Sequence, residues 1–310
     1  MRTNICTTID TVNTMEKYDA ACKMILSQKV ILAWILKDYV KEYTEISIQE
    51  IVDKCIERES GMEIENALPV IRGRLTEDST LNEGKVQGDV RFMAYTPQGV
   101  GQIFDVEAQG VFHSKKSLLK RGAYYLGRMI SSQKGTEFIK SNYKDLKKVF
   151  VIWVCLKPPR TWENSVVHYS FEERNKIGNL KLNPAEYDLM TQIVIGLGNP
   201  DSAEVTGALR LLNVLFTDKF SVSEKKRILE EEFDIPMSET MEKGVEEMCT
   251  FSEAVYGSGI ECGIGKVNDL YKFLISARRE DDLRKAIEDR DFLQTLLNEF
   301  EEVASCLVFQ

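Results

Sequence analysis

Eight consecutive apolar residues, Val149-Phe150-Val151-Ile152-Trp153-Val154-Cys155-Leu156, constrain this chain more than any other stretch. The run is far too short to cross a bilayer and rich in β-branched and aromatic residues, so it reads as a strand buried on both faces. That points to an α/β architecture with a covered sheet. A second signal is the segment 101–109, where period-two alternation puts Asp105, Glu107 and Gln109 on one side and Phe104, Val106 and Ala108 on the other. Pro97 and Gly99 precede it at turn positions, so 85–95 and 101–109 are expected to form a hairpin. A turn centred near Gln98 sets Asp89 across from Glu107, and a one-residue slip would point Asp89 the other way.

Elsewhere the pattern is helical. Ala20, Met24, Ile25, Val30, Ile31, Trp34, Ile35 and Tyr39 recur mostly at three- and four-residue spacing, which predicts helix over 15–43. Residues 1–14 precede it as a disordered arm or a mis-called start. Ser47 is a candidate N-cap with Glu50 as its capping-box partner. Helical spacing returns over 115–140, a strand is expected around 165–171, and helices over much of 184–218. From Ser221 the chain is charged and helical, with 21 acids and 11 bases across 224–303, so a boundary is placed near 219. The expected organisation is a core over 15–218 and an acidic helical region over 219–310.

Charge is unevenly distributed. Residues 113–148 carry ten Lys/Arg against Glu137 and Asp145, a balance of +8 in a chain of net charge −9. This segment begins just after Gln109, which favours a phosphate-facing surface over a merely solvated helix face. Seven scattered cysteines and only two histidines, His113 and His168, offer no zinc-ligand spacing, so reduced thiols in a cytoplasmic protein are expected. Two rival readings are weak. Gly196-Leu197-Gly198-Asn199-Pro200 suggests a dinucleotide loop, but Asp201 stands where a third glycine is needed. The S-x-x-K matches at Ser117–Lys120 and Ser141–Lys144 lack their companion motifs.

Four segments in order carry a resemblance: Gly88-Asp89-Val90-Arg91-Phe92 after Asn82-Glu83-Gly84; Asp105-Val106-Glu107-Ala108-Gln109; Arg121-Gly122-Ala123-Tyr124-Tyr125 with Gln133; and the apolar run. Met248–Ser252 and Gly257, Gly259, Gly263 and Gly265 add a weaker fifth. Over roughly 20–270 the chain resembles the PD-(D/E)XK nuclease superfamily and, within it, the recombination-promoting nuclease / transposase family. There is no proline before the first acid, and Gln109 replaces the superfamily's usual lysine.

The resemblance implies a restriction-endonuclease-like mixed central sheet flanked by helices, with a helical C-terminal extension, acting as an endonuclease. Asp89, Glu107 and Gln109 would be catalytic. Asp89, Glu107 and the Ala108 backbone carbonyl would hold Mg²⁺ or Mn²⁺, with Glu83 and Asp105 as further candidate ligands and Asp38 or Glu42 as weaker helix-borne ones. Lys115, Lys116, Lys120, Arg121, Tyr124 and Arg128 would contact DNA. A homodimer through the C-terminal helices is expected. The alternative is a nuclease fold that no longer cuts and acts as a DNA- or protein-binding module; Met248, Phe251, Leu274 and Leu296–Leu297 would then serve partner-binding helices.

Overall fold

The computed structural model describes residues 16–57, 71, 77–80, 84–87, 90–110, 117–289, 292–293, 295–297 and 299. The arm over 1–14, the first acids Glu83 and Asp89, and Lys115 and Lys116 lie outside these residues. The described chain divides into two compact units, residues 16–249 and the residues from Thr250 onward. The division falls well after 219. Phe233 meets Trp34 edge-on at 5.3 Å, and Met241, Val245 and Met248 are buried, so the residues just past 219 belong to the first unit's core.

The first unit is an α/β structure around a mixed five-stranded sheet. The strands are β3 (Val90–Tyr95), β4 (Gly101–Gln109), β5 (Val149–Cys155), β6 (Ser165–Ser170) and β7 (Met190–Gly196), in the order β3-β4-β5-β7-β6. β4, β5 and β7 run parallel, and β3 and β6 are antiparallel to their neighbours. The central apolar run is β5, buried along its whole length. A separate antiparallel pair, β1 (Glu77–Thr80) and β2 (Gly84–Gln87), precedes the sheet. The stretch read as one strand over 85–95 is therefore two elements.

Alternation along the strands gives the sheet two different faces. On one, Phe104 stacks between Phe92 at 5.2 Å and Phe150 at 4.6 Å, and Tyr43 meets it edge-on. Tyr43 follows α2 (Lys29–Tyr39), and α2 is joined to α5 (Gly207–Phe216) where Asp38 Oδ2 accepts the Ala208 N–H at 2.6 Å. The other face is covered by α4 (Leu118–Ser131), whose Leu118, Leu126 and Met129 pack on Val149, Val151 and Trp153.

Helical boundaries differ from the sequence pattern for local reasons. The helix expected over 15–43 is two: α1, residues 16–26, and α2, separated at Ser27 and Gln28. Ser47 does cap, its Oγ accepting the Glu50 N–H, but α3 (Ile48–Glu50) then widens into a π-turn over Ile51–Cys55. Residues 190–196, inside the stretch 184–218 expected to be helical over much of its length, form β7; Thr191, Ile193, Val194 and Ile195 supply the β-branched character that suits an inner strand. Ser221 caps α6 (Val222–Phe233) in a full capping box with Glu224.

In the second unit, the later part of α7 (Glu239–Ser276) and α8 (Glu280–Glu288) place Leu270, Leu274 and Ala286 in a small core with Leu296, which follows α8. Met248, Leu274 and Leu296 are thus spent on internal packing, which removes them as partner-binding residues. Among the described residues no helix is long and apolar enough to cross a membrane.

Candidate active site

The hairpin fixes which side chains meet. β3 and β4 pair with Arg91 opposite Asp105 and Val90 opposite Val106, the register that a turn centred on Gln98 requires. Thr96 N–H donates to the Val100 carbonyl, and Gly99 sits at φ +82°, where glycine avoids the Cβ strain other residues meet. Within the described pairs no one-residue slip occurs. Glu107, Ala108 and Gln109 extend beyond Val106 while staying paired to β5, opposite Trp153, Val154 and Cys155. They lie at the carboxyl end of a parallel strand, the end where open α/β sheets form their binding crevices.

Glu107 is 6% exposed and Gln109 half-buried. A carboxylate in that position is not the solvated surface residue that a chance acid on a strand would be. Arg121, in the first turn of α4, donates from Nη2 to Gln109 Oε1 at 2.6 Å and lies over the Trp153 ring at 4.3 Å. Trp153 is the platform: fully buried on β5 opposite Glu107, it also packs against Tyr125 at 5.8 Å. Cys155, opposite Gln109, is pushed up to about 12 by burial, with Arg121 pulling the other way, which makes it an inert thiol.

Several expected site residues are occupied otherwise. Asp105 is fully buried and paired with Arg91 at 2.7 Å, so its charge is already matched within the hairpin rather than open to a metal. Asp38 is committed to Ala208, and Glu42 Oε1 accepts from Gln102 Nε2 at 2.9 Å. Gln102 shares the face of Phe104, opposite to that of Glu107, so neither helix acid belongs with Glu107.

The basic segment is also thinner than its composition. Arg128 is 6% exposed and donates to the Tyr124 hydroxyl at 3.2 Å, so burial withdraws it from DNA. Lys147 pairs with Glu137 and Lys148 with Asp188. Arg121 is turned inward on Gln109. Lys120, Lys134, Lys140 and Lys144 are exposed, as is Tyr124 at 49%. Gln133 holds the segment's end: its Nε2 donates to the Lys147 carbonyl and its Oε1 accepts the Lys147 N–H.

Sequence reasoning missed two residues. Arg91 was visible inside the G-D-V-R-F strand but only the register shows its partner, and Trp153 was absorbed into an apolar run. It also left the glycines unexplained. A Cβ on Gly122 would meet the Gln192 amide at 2.5 Å, so the glycine lets α4 approach β7. Gly196 and Gly198 are small because Trp162 and Asn164 press on them, and the Gly198 N–H donates to Asn213 Oδ1 at 2.7 Å. That N–H is therefore not presented to a pyrophosphate. Ser117 of the first S-x-x-K match is the N-cap of α4.

Among the described residues no group of three or more His, Cys, Asp or Glu converges as a metal site. No family model matches the chain, and no curated protein or solved structure matches it.

Proposed function

We propose that this protein is a metal-dependent DNA endonuclease that hydrolyses phosphodiester bonds in recombination or mobile-element DNA. The observation supporting this most is Glu107 and Gln109 side by side on one face of β4, at the carboxyl end of the parallel strands, with Arg121 braced on Trp153 above them. The donor set is oxygen-based, which suits Mg²⁺ or Mn²⁺. Asp89, Glu107 and the Ala108 carbonyl would hold the ion, with Glu83 as a further ligand. When bound, such an ion lowers the pKa of a water and shields charge developing on the phosphate.

The chain's own groups have separate tasks. Glu107 supplies negative charge in a desolvated setting, where it attracts a cation strongly. Gln109 orients a water or phosphate oxygen but takes no proton, because an amide is not a base at neutral pH. Arg121 fixes the rotation of that amide through Oε1. Exposed Lys120 and Tyr124, on the first turns of α4, would contact flanking phosphates.

Plasmid nicking with Mg²⁺, Mn²⁺ or EDTA tests the reading. Wild type should nick only with metal, and Asp89→Ala and Glu107→Ala should each lose activity while keeping the fold by circular dichroism. Undiminished cleavage by either variant removes the mechanism.

A second reading, a nuclease fold that binds DNA or protein without cutting, is favoured by the ion pair that neutralises Asp105 and by the internal partners of Arg121 and Arg128. Calorimetric titration with Mn²⁺ separates the two, since only the enzyme requires binding that depends on Asp89 and Glu107. The homodimer proposal now rests on Ile275 and Ile287, strongly exposed apolar residues among the described residues of the second unit. Light scattering of wild type and Ile275→Asp/Ile287→Asp should show a halved mass if they form the interface.

A further inference from the structure

The first unit buries a lysine that the proposed chemistry does not use. Lys225, in the first turns of α6, is 0% exposed. Its Nζ donates to the Leu215 carbonyl at 2.9 Å and to Cys249 Sγ at 3.4 Å. Leu215 is in the last turn of α5, where carbonyls lack helical partners, so one of these bonds is a helix cap. The other has no such structural necessity. An ammonium has three N–H donors, and the two acceptors recorded here are a carbonyl and a soft sulfur, a poor replacement for water. Burial accordingly lowers the Lys225 pKa, with the Cys249 thiol opposing the shift. Cys249 itself is half-buried, within reach of a small oxidant.

We propose that Lys225 and Cys249 are a redox-sensitive cross-linking pair that forms a sulfur–nitrogen bond when the protein meets hydrogen peroxide. In the ammonium–thiolate form, Sγ attacks one peroxide oxygen and the O–O bond breaks. Lys225 gives a proton to the departing hydroxide, leaving a neutral amine, a sulfenic acid and water. The Nζ lone pair then attacks the sulfenyl sulfur, the S–O bond breaks, and the amine proton leaves with the hydroxide as a second water. One peroxide is reduced and the sulfur is oxidised by two electrons; attack by nitrogen on a sulfenic acid is an established fate of that group. The bond joins α6 to α7 and closes the chain between residues 225 and 249. A dithiol reverses it.

The full chain, treated with hydrogen peroxide and digested, should yield one joined peptide containing Lys225 and Cys249, two hydrogens lighter than the separate peptides. Dithiothreitol should release it, Cys249→Ser should lack it, and the oxidised wild type should melt at a higher temperature than the reduced. Recovery of Cys249 as sulfenic or sulfinic acid beside unmodified Lys225, or as a disulfide with Cys22, overturns the proposal. Because the readout is a mass and not cleavage, failure of the nuclease reading would leave this result untouched.

Discussion

The two faces of β4 do different work with the same backbone. Phe104 and Val106 are completely buried, and Phe104 sits in an aromatic row across three strands. On the other face Asp105 and Glu107 are buried as well, but as carboxyl groups, with Gln109 beside them. Burying an aromatic ring stabilises the fold by a few kcal/mol, whereas burying a carboxylate costs several unless it is matched. On the polar face Asp105 is neutralised by Arg91 inside the hairpin, and Glu107 stands opposite Trp153 of β5. The apolar face supplies the stability that lets the other carry charge.

Substitutions on the two faces should therefore separate stability from activity. The largest effect is expected for Glu107→Gln, which keeps volume and removes charge. Cleavage should fall to background in the nicking assay while the urea midpoint stays near wild type. Phe104→Ala should behave oppositely, costing about 3–5 kcal/mol in urea unfolding as transfer and cavity terms add. A Glu107→Gln protein that cuts normally, or a Phe104→Ala protein as stable as wild type, would break the comparison. Asp105→Ala should resemble Phe104→Ala, since removing one partner of a buried ion pair costs about 3–5 kcal/mol. Replacing both partners, Arg91→Met with Asp105→Leu, should recover most of that loss.

The sequence reveals one of these faces better than the other. Strand alternation has a period of two, so the assignment of Glu107 and Gln109 to one side needed no tertiary information, and Pro97 and Gly99 announced the turn. β5 was legible because eight apolar residues in a row have few other uses. The pairing of Arg91 with Asp105 was not legible, because it depends on register between strands. Nor was the fate of the bases. A count of Lys and Arg carries no orientation, and Arg128, four residues after Tyr124, is buried against it. β7 was misread because a short apolar run fits strand or buried helix equally. The first acid of the proposed site, Asp89, is known from the sequence alone.

Smaller effects sharpen the picture around α4. Arg121→Met keeps contact with Trp153 but releases Gln109. Cleavage should drop about 10²-fold, the loss typical of one oriented polar group in a catalytic site, with DNA affinity much less changed. An equal loss in both would mean that Arg121 binds phosphate instead. Gly122→Ala should cost about 1–3 kcal/mol, as expected for overpacking, because the new Cβ meets the Gln192 amide. Adding Gln192→Ala should return part of it, which would show that the glycine serves helix–sheet approach rather than chemistry.

The smallest effect is expected at Lys120, an exposed base on the first turn of α4. Lys120→Ala should leave the unfolding midpoint unchanged and lower DNA affinity only a few-fold. The informative quantity is the slope of log affinity against log salt, which should fall in magnitude by about 1 if one phosphate contact is lost. Arg128→Lys should leave that slope as it is, because a buried guanidinium bonded to Tyr124 has no phosphate contact to lose. Equal slopes for wild type and Lys120→Ala would move the DNA path off α4 and onto other exposed bases of the same segment, such as Lys134, Lys140 and Lys144 beyond the end of the helix.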